Sequence, residues 1–589
     1  MSDYTPPLTD LEFVLNHVTD LTAVAKLDDF HHADPQTVSG VLAEAGRFFS
    51  EVIAPTNRPG DLEGSRLVDG SVRTPAGFKE AYTKYLAAGW AGVHLSETWG
   101  GGGMPLLVGM GVHEMFKSSN LALSLCTMLT QASIDALTEH GSPEQQALYL
   151  EKLVTGEWSG TMCLTEPHAG SDVGALTSRA VPQDDGTHRI TGQKIFITWG
   201  DQDLTENIIH LVLARTPGAA PGTKGISLFL VPKFLPDASG APGERNSYEV
   251  VSLEHKLGIH ASPTCVLEFD DAVGYLVGEE QQGMRYMFTM MNTARIEVGA
   301  EGLAVGERAY QNALAYAKER PQGRAVGAEP GETSLIIEHP DVRRMLLTMR
   351  ADIEAMRALL YTTAFSVDHH RHADDTDVST FHGDRVALLT PIVKAWLTDR
   401  GVQIASLGIQ IHGGMGYVEE TGAAQFYRDI RISPIYEGTN GIQAIDLVLR
   451  KLTLSDGEAI AALFDEIDTT VEEMAAVDSS LSARLAAALG SGRHTSDWLS
   501  ARLAAGEYDD ALAGATPFLE LMGTLTGGWL MARSWLAADR LLSAGQGDEE
   551  FLTAKKSTAS FYLTQLLPKT AGLEPAVTGG ARVLYEAPL

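Results

Sequence analysis

The sequence predicts a mostly helical protein with a central β domain and a C-terminal helical extension. Before about residue 158 and again after residue 283, apolar residues recur three and four positions apart, as in amphipathic helices. Between these regions, apolar and polar residues alternate in short runs separated by Gly, Pro and Asp, as in β-strands. Because 589 residues exceed one core, we predict four segments, 1–158, 159–282, 283–453 and 454–589.

The first segment shows helical periodicity in VSGVLAEAGRFFSEVIAP, KEAYTKYLAAGW and SPEQQALYLEKLVTGEW. Ser142, followed by Pro143 and Gln145, predicts a capped helix start. The loop SETWGGGGMP lies between these helices. Its four glycines could bring the backbone close to a ligand, and a flexible surface turn explains them equally well.

The second segment predicts strands in HRITGQKIFIT, IIHLVLART, GISLFLVPK and SPTCVLEF. The Pro- and Gly-rich stretch within residues 232–247 predicts an exposed excursion between two of them.

Helical periodicity returns after Gly283 and continues through the stripe Val393, Trp396, Leu397, Ile404 and Leu407, which predicts a helical bundle. The extension after about residue 454 is rich in Ala and Leu and carries no motif that indicates chemistry. Its most apolar window, which starts at Pro517, is interrupted by Glu520 and a Gly-Gly pair. We therefore expect a buried helix pair or a kinked helix there, and no membrane span.

The composition limits the possible partners. The formal net charge of −32 disfavours nucleic acid and anionic membranes as partners. Cys126, Cys163 and Cys265 have neither disulfide-like nor metal-ligand spacing, so we expect a reducing compartment and no metal. The acidic, Pro-containing start MSDYTPPLTDLEFVLNHV lacks the pattern of a secretion signal, which predicts a cytoplasmic protein.

One carboxylate stands out in IYEGTNGIQAID, residues 435–446. Glu437 precedes small, turn-prone residues, and either Thr439 or Asn440 could cap the apolar helix that follows. Taken alone, Glu437 is most simply a solvated loop residue, since few carboxylates in proteins have perturbed properties.

Two further strings supply groups suited to a planar heteroaromatic ring or an anion. In MCLTEPHAGSDVG, a strand leads into a turn that offers hydroxyls and free backbone amides. In GQKIFITWGD, strand alternation places Phe196 and Thr198 on one face. Each string alone is more simply an ordinary strand with its turn.

Taken together and in this order, the strings resemble the acyl-CoA dehydrogenase family. The resemblance covers roughly residues 40–452 and implies an N-terminal helical domain, a β-barrel-like middle domain, a helical bundle and FAD as cofactor. It implies that Thr165 and Thr198 hydrogen-bond the flavin ring and that Phe196 packs on it. Ser171 would reach the ribityl-pyrophosphate side of FAD or the acyl-CoA.

The same resemblance extends to the remaining FAD contacts. QIHGGMGY matches the Gly-rich motif of the family and places Gln410, Gly413 and Gly414 beside the cofactor, where glycines let a pyrophosphate approach the backbone. Arg320 resembles the arginine that contacts the FAD pyrophosphate of a neighbouring subunit, and Thr439 joins the cofactor-binding set. Gly441 departs from a frequent glutamine of the family, so the adenine contacts there are open.

For the substrate, Arg295 resembles an arginine beside the acyl-CoA site. Arg450 and Lys451 could meet CoA phosphates, and a solvated helix end explains them equally well. His168 stands where relatives often carry a small residue. It is a candidate acid-base group, although a histidine that shapes the turn is the simpler interpretation.

The resemblance implies that Glu437 removes the α-proton of an acyl-CoA thioester while flavin N5 accepts the β-hydride. Chain length, N-terminus and extension resemble the large-subunit branch, which includes methylthiopropanoyl-CoA and fatty-acyl-CoA dehydrogenases and implies a homodimer. An electron-transfer flavoprotein is the expected electron acceptor. Two alternatives stay open, an oxidase that uses oxygen and a flavin-containing nucleic-acid-binding homologue. The length and branching of the acyl chain are not determined by the sequence.

Overall fold

The computed structural model describes residues 4–329, 331 and 333–588. Within these residues the chain forms two compact units. The first unit consists of Arg47–Met104 and Met115–Glu297. The second consists of the chain up to Gly46, Pro105–Glu114 and the chain from Val298 onward.

The helices of the described residues fall at the two ends of the chain. In order they are α1 (Leu8–Val14), α2 (Leu21–Val24), α3 (Pro35–Phe48), α4 (Ala54–Glu63), α5 (Phe78–Ala87), α6 (Leu106–Ser119), α7 (Leu121–His140), α8 (Pro143–Val154), α9 (Gly283–Glu319), α10 (Pro340–His372), α11 (Thr376–His412), α12 (Ala423–Ile430), α13 (Asn440–Asp446), α14 (Glu458–Ala475), α15 (Ser479–Ala504), α16 (Tyr508–Ala513), α17 (Ala515–Ser543), α18 (Glu549–Phe561), α19 (Lys569–Thr578) and α20 (Arg582–Glu586).

The strands lie mainly in the middle of the chain, which confirms the predicted β domain. They are β1 (Arg66–Val68), β2 (Ser71–Arg73), β3 (Trp158–Cys163), β4 (Arg179–Pro182), β5 (His188–Thr198), β6 (Asn207–Ala214), β7 (Ser227–Pro232), β8 (Phe234–Pro236), β9 (Pro242–Arg245), β10 (Tyr248–Leu253) and β11 (Thr264–Leu276).

A seven-stranded mixed sheet forms the centre of the first unit. The strand order is β3-β6-β7-β11-β5-β4, and β10 pairs with β11. β3 and β6 run parallel, whereas the other pairs are antiparallel. β3, β6 and β7 are buried along their whole length, and the sequences of β6 and β7 are accordingly nearly continuous apolar runs.

Helix α7 packs on β3. A Cβ atom at Gly160 would lie 2.3 Å from Ser133 Oγ, so glycine permits the close approach of strand and helix. By length and composition α7 could cross a membrane, but 83% of its most apolar window is buried inside the protein, as in a core helix. Ser142 caps α8 and forms a capping box with Gln145, as predicted.

Two hairpins refine the sequence prediction. The N-terminal segment is not helical throughout, because β1 and β2 form a hairpin around Asp69 and Gly70. Both residues have positive φ, 50° and 73°, as the Asp-Gly pair of a type I′ turn requires. The predicted excursion within residues 232–247 contains a second hairpin, β8 paired with β9.

The second unit is a helical bundle in which α10 packs against α11, and α17 of the extension packs on both. The window from Pro517 lies in one buried helix, because α17 is continuous from Ala515 to Ser543, and the predicted helix pair is wrong. Its glycines admit close neighbours: a Cβ atom would lie 2.6 Å from Tyr562 Oη at Gly527 and 2.6 Å from Leu567 Cδ1 at Gly528.

A buried cluster of charges joins the N-terminal residues and the extension to this bundle. Arg357 on α10 pairs with Asp10 on α1, with Glu114 at 2.6 Å and with Glu307 at 2.8 Å. Lys555 on α18 also pairs with Asp10, and it pairs with Glu354 on α10 at 2.9 Å. These side chains are nearly excluded from solvent, as buried ions require compensating partners.

Candidate active site

The predicted base, Glu437, lies half-buried in the loop between α12 and α13. Its φ is +54° and that of Gly438 is +83°, so two consecutive residues occupy the left-handed region. A residue other than glycine costs ~1 to 3 kcal/mol there and persists where the surrounding structure fixes it. The Thr439 hydroxyl accepts a hydrogen bond from the amide of Ile442 at 3.3 Å and caps α13. Of the two predicted caps, Thr439 is the one used.

A buried acid holds this loop from α9. One carboxylate oxygen of Glu301 accepts hydrogen bonds from the hydroxyls of Ser433 and Tyr436, each at 2.5 Å. Burial raises the pKa of Tyr436 well above its usual value, and the charges of Glu301 and Glu437 add to this effect. Tyr436 therefore remains a hydrogen-bond donor. Ile435, on its other side, is 48% exposed.

Helix α11 holds the same loop with a buried lysine. The Lys394 ammonium group donates to the carbonyl oxygen of Gly438 at 2.8 Å and to Asn440 Oδ1 at 2.9 Å. The Asn440 amide group donates in turn to Asp399 Oδ1 at 2.8 Å and to the carbonyl oxygen of Ala395 at 3.1 Å. Side chains of two helices thus fix the strained backbone at Glu437.

In the first unit, the loop that begins at Thr165 is anchored by Glu166. The Glu166 carboxylate accepts hydrogen bonds from the backbone amides and hydroxyls of Thr177 and Ser178, at 2.6 to 3.0 Å, and pairs with Lys194 at 2.8 Å. Burial alone would raise the pKa of Glu166, but the Lys194 charge and these donors lower it to about 2. Glu166 is therefore a charged structural anchor.

A β-bulge orients Phe196. Lys194 pairs with Leu267 and Ile197 pairs with Cys265, so β5 carries one more residue than β11 between these pairs. The extra residue interrupts strict alternation, and Phe196 has φ +59° and is 57% exposed. The bulge thus presents an aromatic ring at the surface of the sheet, which suits packing on a planar ligand.

The two predicted flavin hydroxyls lie near this bulge. The amide of Ile195 donates to the carbonyl oxygen of Thr165 at 2.9 Å, which joins the loop to β5. Thr165 and Thr198 are half-buried, and neither hydroxyl has a hydrogen-bond partner among the described residues. Ser171 is exposed at the tip of the loop. These groups fit the edge of a flavin ring.

In the second unit, the predicted pyrophosphate contacts lie at the C-terminal ends of α9 and α11. Tyr316 near the end of α9 stacks on His412 at the end of α11, with ring centroids 4.5 Å apart. Arg320 and Gly413 follow these two residues and are exposed. A Cβ atom at Gly413 or Gly414 would meet no atom within 4 Å, so the backbone there is open to an anion.

Four family models match nearly the whole chain. They are the acyl-CoA dehydrogenase N-terminal domain over residues 40–157, the middle domain over 161–272, the C-terminal domain over 281–452 and the acetyl-CoA dehydrogenase C-terminal-like domain over 463–588. The chain belongs to the acyl-CoA dehydrogenase family.

Individual relatives agree. The 3-methylmercaptopropionyl-CoA dehydrogenase of Ruegeria pomeroyi is 46% identical over 589 residues, the full length of both chains. The broad-specificity linear acyl-CoA dehydrogenase FadE5 of Mycobacterium tuberculosis is 37% identical and covers 96% of each chain. The Bacillus anthracis acyl-CoA dehydrogenase complexed with FAD shares the fold, with TM-score 0.73 and 20% identity over 96% of this chain and 91% of that one.

Membership of this family establishes the reaction class. The chain is an oxidoreductase that dehydrogenates an acyl-CoA, and FAD is the cofactor of the family. In the first unit, the exposed ring of Phe196 and the two available threonine hydroxyls suit a flavin ring. In the second unit, the open glycine backbone after α11 suits a pyrophosphate.

The remaining predicted residues of this acyl-CoA dehydrogenase are placed as follows. Arg295 on α9 is buried in the first unit, and Gln410 is exposed near the end of α11. Arg450 and Lys451 follow α13 in a π-helical turn and pair with Asp446, at 3.0 and 3.9 Å. The Arg450 side chain is 69% exposed. His168 is 53% exposed and lies 3.9 Å from Glu166, beside a structural anchor.

The sequence analysis missed Glu301, Lys394 and Asp399. A signal was present for Lys394, because it interrupts the apolar stripe between Val393 and Trp396. A cation on the buried face of a helix requires a polar partner. For Glu301 and Asp399 no local pattern distinguishes a buried acid from a solvated one.

Proposed function

We propose that this acyl-CoA dehydrogenase acts on 3-methylmercaptopropionyl-CoA and that Glu437 removes the α-proton. The full-length similarity to the Ruegeria pomeroyi enzyme supports the substrate. The fixed, strained position of Glu437 is the observation that carries the role of the base, since a strained residue held by two helices is typical of a functional site.

The α-proton of a thioester is weakly acidic, so its removal requires a base at a fixed distance from the carbon. Glu437 is ionised before the step and takes the α-proton onto its carboxylate. Preorganised hydrogen-bond donors near the thioester carbonyl stabilise the developing enolate. Bound FAD would supply the acceptor for the hydride of the β-carbon. The substrate loses one proton and one hydride, and a trans-2-enoyl thioester remains.

We assign the FAD contacts to two sets of residues. Thr165 and Thr198 offer hydroxyls to the flavin ring edge, and Phe196 packs on its face. The pyrophosphate and adenosine part takes the remaining set, which is Ser171, Arg320, Gln410, Gly413, Gly414 and Thr439. Arg320 supplies a positive charge, and the glycines leave backbone amides accessible. Arg295, Arg450 and Lys451 are assigned to the acyl-CoA.

We further propose that reduced enzyme passes its electrons to an electron-transfer flavoprotein and that the protein is a homodimer. Reoxidation by oxygen would instead make the enzyme an oxidase, and a nucleic-acid-binding role would require no turnover at all. All three alternatives are separated by measuring flavin reduction without oxygen and reoxidation with each acceptor.

The test is an anaerobic titration of the FAD-loaded enzyme with acyl-CoAs, followed by flavin absorbance. Pentanoyl-CoA is the matched control, because it replaces the sulfur of 3-methylmercaptopropionyl-CoA by CH2 at equal chain length. Butanoyl-CoA and palmitoyl-CoA test shorter and longer chains. We expect the highest kcat/KM with the sulfur compound. A preference for palmitoyl-CoA would overturn the proposed substrate and leave the reaction class unchanged.

Glu437→Gln tests the base in the same assay. We expect it to retain FAD and bind the thioester but to lose flavin reduction by at least about 10³-fold, since an amide cannot accept the proton. Flavin reduction at the wild-type rate in this variant would show that Glu437 is not the base.

A further inference from the structure

The C-terminal extension packs, through α17, on α11, which holds the Glu437 loop through Lys394, and on α13, which follows the loop. A Cβ atom at Gly523 of α17 would lie 2.2 Å from Trp396 Cγ, so the α17 backbone touches α11 two residues beyond Lys394. A cavity of about 270 Å³ separates Asn440 and Ala444 of α13 from the first turns of α17. The loop is therefore backed by the extension.

Four charged and polar side chains line this cavity between the extension and the loop: Glu520, Arg400, Asp399 and Asn440. Glu520 on α17 accepts a hydrogen bond from Arg400 at 2.6 Å. Arg400 neighbours Asp399, which accepts the hydrogen bond from Asn440. Burial raises the pKa of Asp399, the Asn440 hydrogen bond and the charges of Arg400 and Lys394 oppose that rise, and the Glu520 charge adds to it. The Glu520 carboxylate thus lies close enough to Asp399 to oppose its ionisation, and Asp399 is the acceptor of the Asn440 amide.

We propose that Lys394 and Asn440 are positioning residues for Glu437, and that the extension acts on the same loop through Glu520 and Arg400. The inference rests on the proposed role of Glu437 as the base. It assigns the extension a part in the proton-transfer step, in addition to its packing in the bundle.

The physical reason lies in the backbone of the two residues that follow Glu437. The Gly438 carbonyl is held by Lys394, and Glu437 and Gly438 both have positive φ. Without the ammonium group the Gly438 carbonyl keeps only the longer hydrogen bond from the Gln443 side-chain amide, at 3.3 Å, so the strained turn can rotate more easily. Rotation displaces the adjoining carboxylate, and a displacement of about 1 Å can slow a proton transfer by about 10²-fold.

The experiment isolates proton removal from hydride transfer. A 3-thiaacyl-CoA carries sulfur in place of the β-carbon, so its α-proton can leave but no β-hydride can follow. Exchange of that proton with deuterium is measured by mass spectrometry on the FAD-loaded enzyme. FAD content per chain and the Kd of the thioester are measured in parallel. Lys394→Met keeps the length and apolar stem of the side chain and removes the charge.

We expect Lys394→Met to slow exchange by about 10²-fold while FAD content and Kd stay within twofold of wild type. Exchange at the wild-type rate would overturn the inference. The inference would also be overturned if FAD content fell, the Kd of the thioester rose and exchange slowed together, because these changes would indicate a general structural defect.

The extension is tested separately with two variants of α17. Glu520→Gln removes the half-exposed partner of Arg400, and we expect exchange to slow by about 3- to 10-fold. Asp539→Asn is the matched control, because Asp539 pairs at 2.6 Å with Lys556 inside the extension. It should exchange at the wild-type rate. Equal rates in the two variants would overturn the part assigned to the extension, even if Lys394→Met fails to fold.

Failure of the proposed function gives a different result. In that case wild-type enzyme does not exchange the α-proton, or Glu437→Gln exchanges it as fast as wild type. The inference fails when Glu437→Gln abolishes exchange and Lys394→Met and Glu520→Gln leave it unchanged.

Discussion

The hydroxyl of Tyr436 donates a hydrogen bond of 2.5 Å to the buried carboxylate of Glu301. This bond connects the residue immediately before the proposed base to α9, whereas Lys394 holds the loop from α11. Ser433 supplies a second hydroxyl to the same oxygen. The loop therefore has two independent supports, and each can be removed without touching Glu437.

Removal of the Tyr436 hydroxyl should slow turnover and lower the free energy of unfolding. Tyr436→Phe leaves the buried Glu301 with one hydroxyl donor fewer, which costs about 1 to 3 kcal/mol in the free energy of unfolding. We expect kcat to fall several-fold while the enzyme retains FAD. Tyr82→Phe is the control, since Tyr82 donates at 2.9 Å to Gly156 in the first unit. It should lose similar stability and keep its kcat, and an equal loss of kcat would contradict a local role for Tyr436.

The exposed ring of Phe196 should contribute to FAD affinity and little to the stability of the apoprotein. Phe196→Ala removes a ring that is 57% exposed, so we expect no clear change in apoprotein unfolding. Loss of stacking on the flavin should weaken FAD binding by about 10-fold, measured by flavin fluorescence. Val251→Ala removes another exposed apolar side chain, 48% exposed, and should bind FAD normally. Equal FAD affinity in Phe196→Ala and wild type would place the flavin elsewhere.

Two adjacent lysines of α18 should differ sharply in their effect on stability. Lys555 is 1% exposed and pairs with Asp10 and Glu354, whereas Lys556 is 26% exposed and pairs with Asp539. Lys555→Met removes a buried cation from Asp10, which keeps Arg357, and from Glu354, which keeps Arg350, and should cost about 3 kcal/mol. Lys556→Met should cost about 1 kcal/mol or less. Urea denaturation of both variants compares them directly, and similar losses would show that the buried cluster is not essential to the bundle.

Local patterns in the sequence predict the elements of this fold well where one periodicity dominates. The apolar strands around IIHLVLA and SLFLVP, the cap at Ser142 and the cap at Thr439 all follow from local chemistry. The Asp-Gly turn of the first hairpin was also readable from its dipeptide.

Other features depend on contacts that are distant in sequence. The bulge at Phe196 arises because β5 and β11 differ by one residue between two pairs, which no single strand reveals. Glu301 and Lys394 lie 136 and 43 positions before Glu437, and only the folded bundle brings them to its loop. For the same reason α17 could be continuous despite Gly527 and Gly528, since the glycines admit neighbours that the local sequence does not specify.

The ion pair between Glu166 and Lys194 should make the first unit sensitive to acid. The pKa of Glu166 is about 2 in the folded protein, below its ordinary value of 4.5. A depressed pKa in the folded state adds stability that is fully present above pH 4.5 and is lost as the pH falls toward 2.

We therefore compare the free energies of unfolding of wild type and Glu166→Gln, by urea titration of the FAD-free enzyme, at pH 5 and pH 3. Their difference should shrink by roughly 2 kcal/mol between these values, because only the wild type loses a carboxylate charge at this position. Glu80→Gln, which removes an exposed carboxylate paired with Lys84, should show a change too small to resolve. A constant difference for Glu166→Gln would show that this carboxylate does not hold the loop as an anion. A shrinking difference means that the loop carrying Thr165 depends on a charge. Because Glu166 stays ionised in the folded protein until the pH approaches 2, FAD affinity should be lost through this group only near that pH.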